Sequence, residues 1–337
     1  MYRGFAVMFV SITLAATMLC AQIETPAPQS SPTTSEAKPP VPEEPATLST
    51  KTAVDEDWTT IYLAKSRLPL GSTGGILLSK VELQGCTREL LRMQWRTNDP
   101  IDLYVIRPRG TEKMPVVLFL YNYTFDTNLF REDRWCDLAK QNGYAAAGFA
   151  SALSWQRFHA PRPMKEWFVS ELQEALAAST HDVQMILNYL ETRGDLNMQH
   201  VGMFGQGSGG AIAILAAAAD PRIGVLDLMD PWGDWPDWLQ GSKQIPEEER
   251  AAYLQPDFLQ RVSSLDPLIY LPQLKSRTLR IQQDLADPAI PAAARDKIAH
   301  AAPGADQVAR YSDRTAEAKA LGTNGIVGWL GEKLHTR

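Results

Sequence analysis

A single short segment constrains the fold of this chain more than any other. Residues 200–204 form an apolar, strand-like stretch, and the six residues that follow, 205–210, contain four glycines. An alanine-rich helical pattern then covers residues 211–219. Glycine allows a backbone to turn sharply and to approach other backbones closely. The segment therefore predicts a strand that passes through a tight turn directly into a helix, as in proteins whose parallel strands are covered by helices.

Strand-like and helix-like stretches alternate along the rest of the chain from about residue 51. The run Val116–Tyr121 is wholly apolar, which is typical of a central strand that is buried on both faces. The other predicted strands are 81–84, 101–106, 144–149, 200–204, 223–228, 277–281 and 307–311. The predicted helices are 129–141, 164–190 with a restart near His181, 211–219 and 326–334. This order predicts an α/β fold with a doubly wound, mostly parallel sheet.

The N-terminal residues have the pattern of an export signal. Arg3 precedes the apolar stretch Phe5–Leu19, and Ala21 offers a small residue at the predicted cleavage point. Lipidation at Cys20 and an uncleaved anchor are the alternatives. Residues 22–50 are rich in proline, serine and threonine and have almost nothing to bury, which predicts a disordered tether. We therefore expect an exported, periplasmic or extracellular protein, divided into a signal peptide (1–21), a tether (22–50) and a folded domain (51–337).

The charge balance excludes some classes of function. The chain has 33 basic and 39 acidic residues and a formal net charge of −6, whereas a nucleic-acid-binding protein needs a basic surface. Charged residues make up 21% of the chain, which is too large a share for a protein with many membrane spans. We expect no nucleic-acid partner, and membrane contact only through the N-terminal signal if it is retained. An oxidising compartment permits a disulfide between Cys86 and Cys136, but the sequence leaves their pairing open.

The glycine-rich segment resembles the strand, nucleophile elbow and helix start of the α/β-hydrolase superfamily, in particular of secreted esterases and dienelactone-hydrolase-like proteins. Three other stretches are similar to parts of that family: 115–122 to the strand and oxyanion loop, 266–272 to the segment before the acid-bearing strand, and 284–291 to the loop that carries the acid. The resemblance covers about residues 80–337. It implies an α/β-hydrolase fold with a lid inserted at about 231–273, and a small-molecule ligand or ester-like substrate.

At the elbow the sequence departs from the family pattern. The family has small residues two positions before and two positions after its nucleophile, because the turn is too tight for side chains there. Gly205 and Gly209 satisfy that spacing only for position 207, which is itself a glycine. A register shifted by one residue makes Ser208 the nucleophile but places Gln206 at a position that should be small. Ser208 also suits a framework role, since a hydroxyl at a helix start can bind free backbone N–H groups.

A serine hydrolase also needs an acid and a histidine base, so we looked for both in the sequence. The family's acid corresponds to Asp287, with Asp284 as a close competitor. The family takes its histidine base from the loop after the last strand, but residues 312–320 contain no histidine. Without an imidazole to take its proton, a serine hydroxyl is a poor nucleophile. His159 follows a strand at the edge where such sheets bind ligands, so it is the histidine that could face a pocket. The alternative is that it caps or packs within its own loop. We expect the others to be surface or framework residues: His181, His200, His300 and His335.

Three tryptophans open the predicted lid. Trp232, Trp235 and Trp238 are spaced so that they would form a stripe on a short helix. The stripe predicts a lid that packs onto the core, a roof over a pocket for an apolar or sugar-like ligand, or both together. Four aspartates lie nearby without a spacing that suits a cation, and we expect no metal site: Asp227, Asp230, Asp234 and Asp237.

Two functional hypotheses follow from the resemblance and its departures. In the first, the protein keeps the fold, lacks the Ser-His-Asp triad and acts by binding. In the second, it is an active serine esterase whose nucleophile is Ser208, with Asp287 as the acid and His159 as the base. The oxyanion donors of that enzyme would come from the loop at Tyr121 and Asn122, together with the backbone N–H after the nucleophile.

A third possibility is a dinucleotide site. Gly205, Gly207 and Gly210 spell G-x-G-x-x-G after a strand, and Asp227 lies about twenty residues further on, where an acid would contact a ribose. That signature is weak by itself, and the hydrolase-like flanks outweigh it. We therefore expect no cofactor.

Overall fold

The structure is a computed structural model that describes residues 56–65, 74–96, 99–110, 112–154, 157, 164–322 and 325–336, without the side chains of 164–170 and 305. The predicted signal peptide and tether lie outside the described residues, and so does His159. Within the described ranges, no helix combines the length and the apolar character that crossing a membrane requires.

The described strands form a nine-stranded, mostly parallel sheet. They are β1 (Ile76–Leu83), β2 (Cys86–Arg96), β3 (Asp99–Pro108), β4 (Met114–Leu120), β5 (Ala145–Gly148), β6 (Leu196–Gln206), β7 (Ile223–Met229), β8 (Thr278–Asp284) and β9 (Val308–Tyr311). Their spatial order is β1-β2-β3-β5-β4-β6-β7-β8-β9. β1, β2 and β3 run antiparallel to their neighbours, whereas β4 to β9 run parallel to one another. The predicted doubly wound α/β sheet is confirmed.

Among the strands, β2 is the one that the sequence patterns missed. It pairs with both of its neighbours in the chain, with Leu91 opposite Leu77 of β1 and Leu103 of β3. Most of its side chains are polar and only partly buried. β2 lacks the continuous apolar run that identifies a strand buried on both faces, and its apolar residues alternate with polar ones only over the short stretch 91–95.

Helices cover both faces of the sheet. They are α1 (Arg134–Asn142), α2 (Met164–Glu191), α3 (Ser208–Ala219), α4 (Trp235–Gly241), α5 (Glu247–Tyr253), α6 (Pro256–Ser263), α7 (Pro267–Tyr270), α8 (Ala292–Ala301), α9 (Arg314–Leu321) and α10 (Gly325–His335). Neighbouring residues of β4 face opposite layers: Leu118 belongs to the apolar core formed with α2 and α3, and Phe119 to the core formed with α1 and α10. The segment between β7 and β8 forms α4 to α7, which pack against α2, α3 and α8. That this segment acts as a lid stays a prediction.

Helix α2 is continuous, so the predicted restart near His181 is wrong. The polar residues that suggested it, His181 and Asp182, are fully buried. Asp182 Oδ2 lies 2.5 Å from Arg157 Nη1, and His181 Nδ1 lies 2.5 Å from Glu56 Oε1. Buried charges persist in a protein when they are paired and hydrogen-bonded. These residues are therefore internal contacts of an unbroken helix and do not mark its end.

A disulfide joins Cys86 to Cys136, which resolves the pairing that the sequence left open. The bond connects the first residue of β2 to α1, with the two Cα atoms 5.8 Å apart. Both half-cystines are buried in the core beneath α1 and α10. The crosslink thus holds the outer, antiparallel part of the sheet to the helical layer on one face.

Removal of this crosslink should destabilise the protein measurably. The disulfide closes a loop with a sequence separation of 50, for which chain entropy predicts a loss of about 4 kcal/mol in the free energy of unfolding. We expect the double variant Cys86→Ser/Cys136→Ser to show this loss in urea unfolding. Adding a reductant should destabilise the wild type by a similar amount and leave the variant unchanged. Equal stability of wild type and variant under oxidising conditions would contradict the prediction.

Candidate functional site

The tight turn predicted from the glycine pattern lies between β6 and α3. Strand β6 ends at Gln206, helix α3 begins at Ser208, and Gly207 between them has φ 57° and ψ −117°. A residue with a side chain would incur a strain of about 1–3 kcal/mol in such a conformation, whereas glycine adopts it freely. The register that places position 207 at the turn is therefore the one that the chain adopts.

The two flanking glycines are required by close packing. A Cβ atom on Gly205 would lie 2.6 Å from the carbonyl oxygen of Gly209, and a Cβ atom on Gly209 would lie 2.1 Å from the carbonyl oxygen of Leu120. Neither distance is compatible with a side chain. The strand, the turn and the helix are thus packed as tightly as the family pattern requires, although position 207 carries no nucleophile.

The side chain of Asn122, in the loop after β4, occupies the space in front of the turn. A Cβ atom on Gly207 would lie only 2.7 Å from Asn122 Oδ1. The same oxygen accepts hydrogen bonds from the Ser208 backbone N–H at 3.2 Å and from the Ser208 hydroxyl at 3.0 Å. The carboxamide therefore fills the space next to position 207 and satisfies the first N–H group of the helix.

Ser208 is held in the framework of the turn. Its side chain is fully buried, and its Oγ atom accepts a hydrogen bond from the Tyr123 N–H at 2.9 Å while it donates to Asn122. Both hydrogen-bonding functions of the hydroxyl are thus engaged within the protein. No described histidine hydrogen-bonds to Ser208, and the loop that contains His159 lies outside the described residues.

Tyr121, the other predicted oxyanion-loop residue, packs into an aromatic cluster. Its ring lies 5.2 Å from the Phe204 ring and 5.7 Å from the Phe125 ring, centroid to centroid. Burial raises the pKa of its hydroxyl to about 12. Phe125 in the same loop is 46% exposed, so this loop presents an apolar ring to solvent beside the turn.

Arg314 lies where the family pattern has its histidine base, after the last strand and at the start of α9. Its guanidinium group is surrounded by four carboxylates, with N–O distances of 2.8 Å to Asp230, 3.2 Å to Asp284, 3.2 Å to Asp287 and 2.9 Å to Glu317. Sequence reasoning missed this residue as a partner of the acids. The signal was present, since the stretch searched for a histidine contains the arginine.

Asp287, the predicted acid, takes part in two contacts. Its Oδ1 atom accepts a hydrogen bond from the Ala289 N–H at 2.8 Å, and its Oδ2 atom faces Arg314. The carboxylate therefore orients the local turn and pairs with a guanidinium. Its competitor Asp284 also contacts Arg314, through Oδ2.

Asp230 follows β7 and is nearly fully buried beside Arg314. Its backbone has φ 46°, and its Oδ1 atom accepts a hydrogen bond from the Asp284 N–H at 2.8 Å. Burial raises the pKa of Asp230 to about 7, because it outweighs the Asp284 N–H and the Arg314 guanidinium, both of which lower it. One carboxyl group of the cluster therefore titrates close to neutral pH.

The tryptophans of the predicted lid pack in the interior. Trp232, Trp235 and Trp238 are each at most 1% exposed. The backbone N–H of Trp232 donates to the Gly207 carbonyl oxygen at 3.1 Å, and the centroid of the Trp232 ring lies 4.3 Å from that of Trp238 and 5.7 Å from that of Tyr123. These rings lie next to the turn on the carboxyl-end side of the sheet, where their contacts are those of a core. A role for them in lining a ligand pocket stays a prediction.

The remaining candidate groups have internal partners. Asp227, the residue that a dinucleotide motif would use, is fully buried and lies 2.6 Å from Arg280 and 3.0 Å from the Gln282 amide. Asp234 and Asp237 share Lys297, at 2.8 and 2.9 Å. Among the residues that the structure describes, no group of three or more histidine, cysteine, aspartate or glutamate side chains has a geometry that could hold a metal ion.

Comparison with known proteins gives similarity in structure but not in sequence. No protein-family model matches the chain, and no curated protein matches it. Acetyl xylan esterase 1 from a Thermoanaerobacterium species has 13% identity and a TM-score of 0.56, over 77% of this chain and 87% of that chain. An acetyl xylan esterase from a Paenibacillus species has 17% identity and a TM-score of 0.54, over 71% and 81%. An S-formylglutathione hydrolase from Agrobacterium tumefaciens has 15% identity and a TM-score of 0.54, over 77% and 97%. At these identities the similarity establishes the fold alone.

The cluster around Arg314 should make stability depend on pH through Asp230. The folded-state pKa of about 7 exceeds the value of about 3.9 in an unfolded chain, so the folded protein binds more protons between these values. The free energy of unfolding should therefore fall as pH rises towards 7, by up to about 1.4 kcal/mol per pH unit. We expect Asp230→Asn to remove this contribution, which urea unfolding at pH 5, 6, 7 and 8 would measure. Identical pH profiles for the wild type and the variant would contradict the prediction.

Proposed function

We propose that this chain, which has the α/β-hydrolase fold that its sequence resemblance predicted, is an exported protein that acts by binding a small-molecule ligand and does not hydrolyse it. The observation that carries the proposal is the glycine at the turn. Gly207 has the backbone conformation of a nucleophile position, and it has no side chain that could attack an ester.

The described residues also have no histidine at the position from which the family takes its general base. The position after β9 holds Arg314, which is paired with carboxylates. A guanidinium has no acceptor atom and keeps its proton in proteins, so it cannot serve as a general base. Nucleophile and base act as a unit in this kind of catalysis, and removal of either lowers the rate by orders of magnitude.

The position of Asn122 also supports the absence of catalysis. In the family, the backbone N–H after the nucleophile helps to bind the oxyanion of the transition state. In this chain that group is the Ser208 N–H, and it donates to Asn122 Oδ1. An internal amide oxygen thus takes the place that a substrate oxygen would need, and it would have to move before catalysis.

The disulfide supports the export part of the proposal. Disulfides form and persist outside the reducing cytosol, in the periplasm or extracellular space. The Cys86–Cys136 bond is buried in the core, as a structural crosslink would be. It agrees with the export signal and tether that the sequence predicts at residues 1–50. Membrane contact is proposed only through the N-terminal signal, if it is retained.

Labelling with a fluorophosphonate probe tests the absence of catalysis. We expect the mature chain, residues 22–337, to remain unlabelled and to hydrolyse short activated esters no faster than buffer. Gly207→Ser should stay unlabelled too, also when combined with Asn122→Ala to make room for the new side chain, because the position of the family's histidine holds Arg314, which cannot take the proton of the hydroxyl. Stoichiometric labelling of the wild type that Ser208→Ala abolishes would establish the alternative, an esterase that uses Ser208 with Asp287 and His159.

Ligand binding is tested by thermal unfolding in the presence of candidate ligands. Two of the solved structures similar to this chain are acetyl xylan esterases, so the first probe is an acetylated xylo-oligosaccharide, with the deacetylated sugar as its control. We expect the acetylated sugar to raise Tm through preferential binding to the folded state. Phe125→Asp at the exposed loop should remove this shift, and Ile269→Asp, at an exposed apolar residue elsewhere, should not. No shift with acetylated sugars or short acyl esters would contradict the binding proposal.

A further inference from the structure

Strand β1 carries most of the large apolar side chains that the described protein exposes to solvent. Seven such residues are exposed, and four of them lie on this one strand: Ile76 at 66%, Leu77 at 52%, Leu78 at 46% and Val81 at 39%. Exposed apolar residues are ordinary when they are scattered, whereas a contiguous group marks a surface that another molecule covers.

The same strand is the outermost one of the sheet. In the order of strands β1 occupies one end and is paired with β2 alone among the described strands. Its other edge presents backbone N–H and C=O groups that can pair with an added strand. Seven of its eight residues are exposed, so both faces of the strand, and not only its edge, are open to a partner.

We propose that β1 pairs antiparallel with β1 of a second copy of this chain, around a two-fold axis at Val81. We assign the added strand to a second copy of this chain because, in an antiparallel pair of two β1 strands, the charges of one strand lie opposite charges of the other sign. Lys80 and Glu82 flank Val81, and their side chains are 50% and 51% exposed. An antiparallel pair centred on Val81 places Lys80 of each copy opposite Glu82 of the other, so that both charges of both strands are matched.

The alternation of side chains gives the paired strands two different faces. Lys80 and Glu82 lie on one face, where they form two ion pairs between the copies. Ser79, Val81 and Leu83 lie on the other, where Val81 meets its own counterpart and Leu83 lies opposite Ser79. The residue before this stretch, Leu78, is at an irregularity in the pairing with β2 between Leu77 and Ser79. β1 ends at Leu83, so a pair centred on Val81 covers residues 79–83. Of the four exposed apolar side chains it contains Val81, and Ile76, Leu77 and Leu78 lie beyond its end.

The contacts that Lys80 and Glu82 already make do not prevent this pairing. Lys80 lies 3.8 Å from Glu82 and 3.6 Å from Glu89, and Glu82 also lies 3.1 Å from Arg109 and accepts a hydrogen bond from Thr87 at 3.0 Å. Exposed ion pairs of this kind contribute about 0–1 kcal/mol, so they can rearrange on association.

A charge exchange tests the proposed register. Sedimentation of the mature chain, residues 22–337, should show a dimer for the wild type and for Lys80→Glu/Glu82→Lys, and a monomer for each single change. Each single change places like charges opposite each other twice, and the double change restores the match. Ile269→Lys, at an exposed apolar residue outside β1, should leave the dimer intact. Thermal unfolding of each variant checks that it is folded.

A cysteine at the two-fold axis gives an independent measurement. The mature chain has no cysteine besides the bonded pair Cys86 and Cys136, so Val81→Cys introduces a single free thiol. Residues opposite each other in antiparallel strands have Cβ atoms about 4.5–5.5 Å apart, which a short thiol crosslinker can join. We expect Val81→Cys to form a covalent dimer with such a crosslinker and Ser79→Cys, which faces Leu83, to do so poorly. A wild type that is monomeric, a folded Lys80→Glu variant that stays dimeric, or equal crosslinking at positions 79 and 81 would overturn the proposal.

Discussion

The packing of the turn at Gly207 is the constraint on which the rest of the site depends. The strand before it, the helix after it and the loop after β4 approach so closely that Gly205 and Gly209 leave no space for a Cβ atom. The positive φ of Gly207 brings the start of α3 against Asn122, which then bonds the first N–H of the helix. This geometry is costly for other residues, so it constrains the sequence whether or not the turn presents a nucleophile.

The second centre is the group of acids around Arg314. Four carboxylates contact one guanidinium at the carboxyl ends of β7 and β8 and at the start of α9. Burial raises the pKa of Asp230 to about 7 because it outweighs the Asp284 N–H and the Arg314 guanidinium, and the charges of Asp287 and Glu317 raise this pKa further. In a hydrolase of this fold the same place would hold an acid and an imidazole. An arginine there pairs with the acids and has no acceptor atom for a proton, and this difference is why we propose a binding role on an enzyme's fold.

The fold tolerates these replacements because its stability comes from other parts of the molecule. The sheet is covered on both faces by apolar layers, and the tryptophans beside the turn are part of that core. The disulfide joins β2 to α1, and the ion pair between Asp182 and Arg96 joins β2 to α2. None of these interactions needs a nucleophile or a base. Similarity to esterases in fold, at identities of 13–17%, is therefore compatible with a different function.

The sequence by itself determined the features that depend on local chemistry. The apolar run at β4, the alternation of strands and helices and the glycine spacing at 205, 207 and 209 predicted the parallel sheet and the turn, because side-chain period and backbone sterics act over a few residues. Strand β2 was missed because it has no continuous apolar run and its apolar residues alternate only over 91–95. His181 suggested a break that its buried partners make unnecessary. The tertiary structure alone decided the contacts between distant residues. Asn122 meets Ser208 across 86 positions, Cys86 meets Cys136 across 50, and Arg314 gathers acids from two other strand ends. No local pattern encodes such contacts. The contacts of Asn122 and Arg314 arise when the sheet brings the ends of its parallel strands to one edge, and the disulfide arises when α1 packs beside β2.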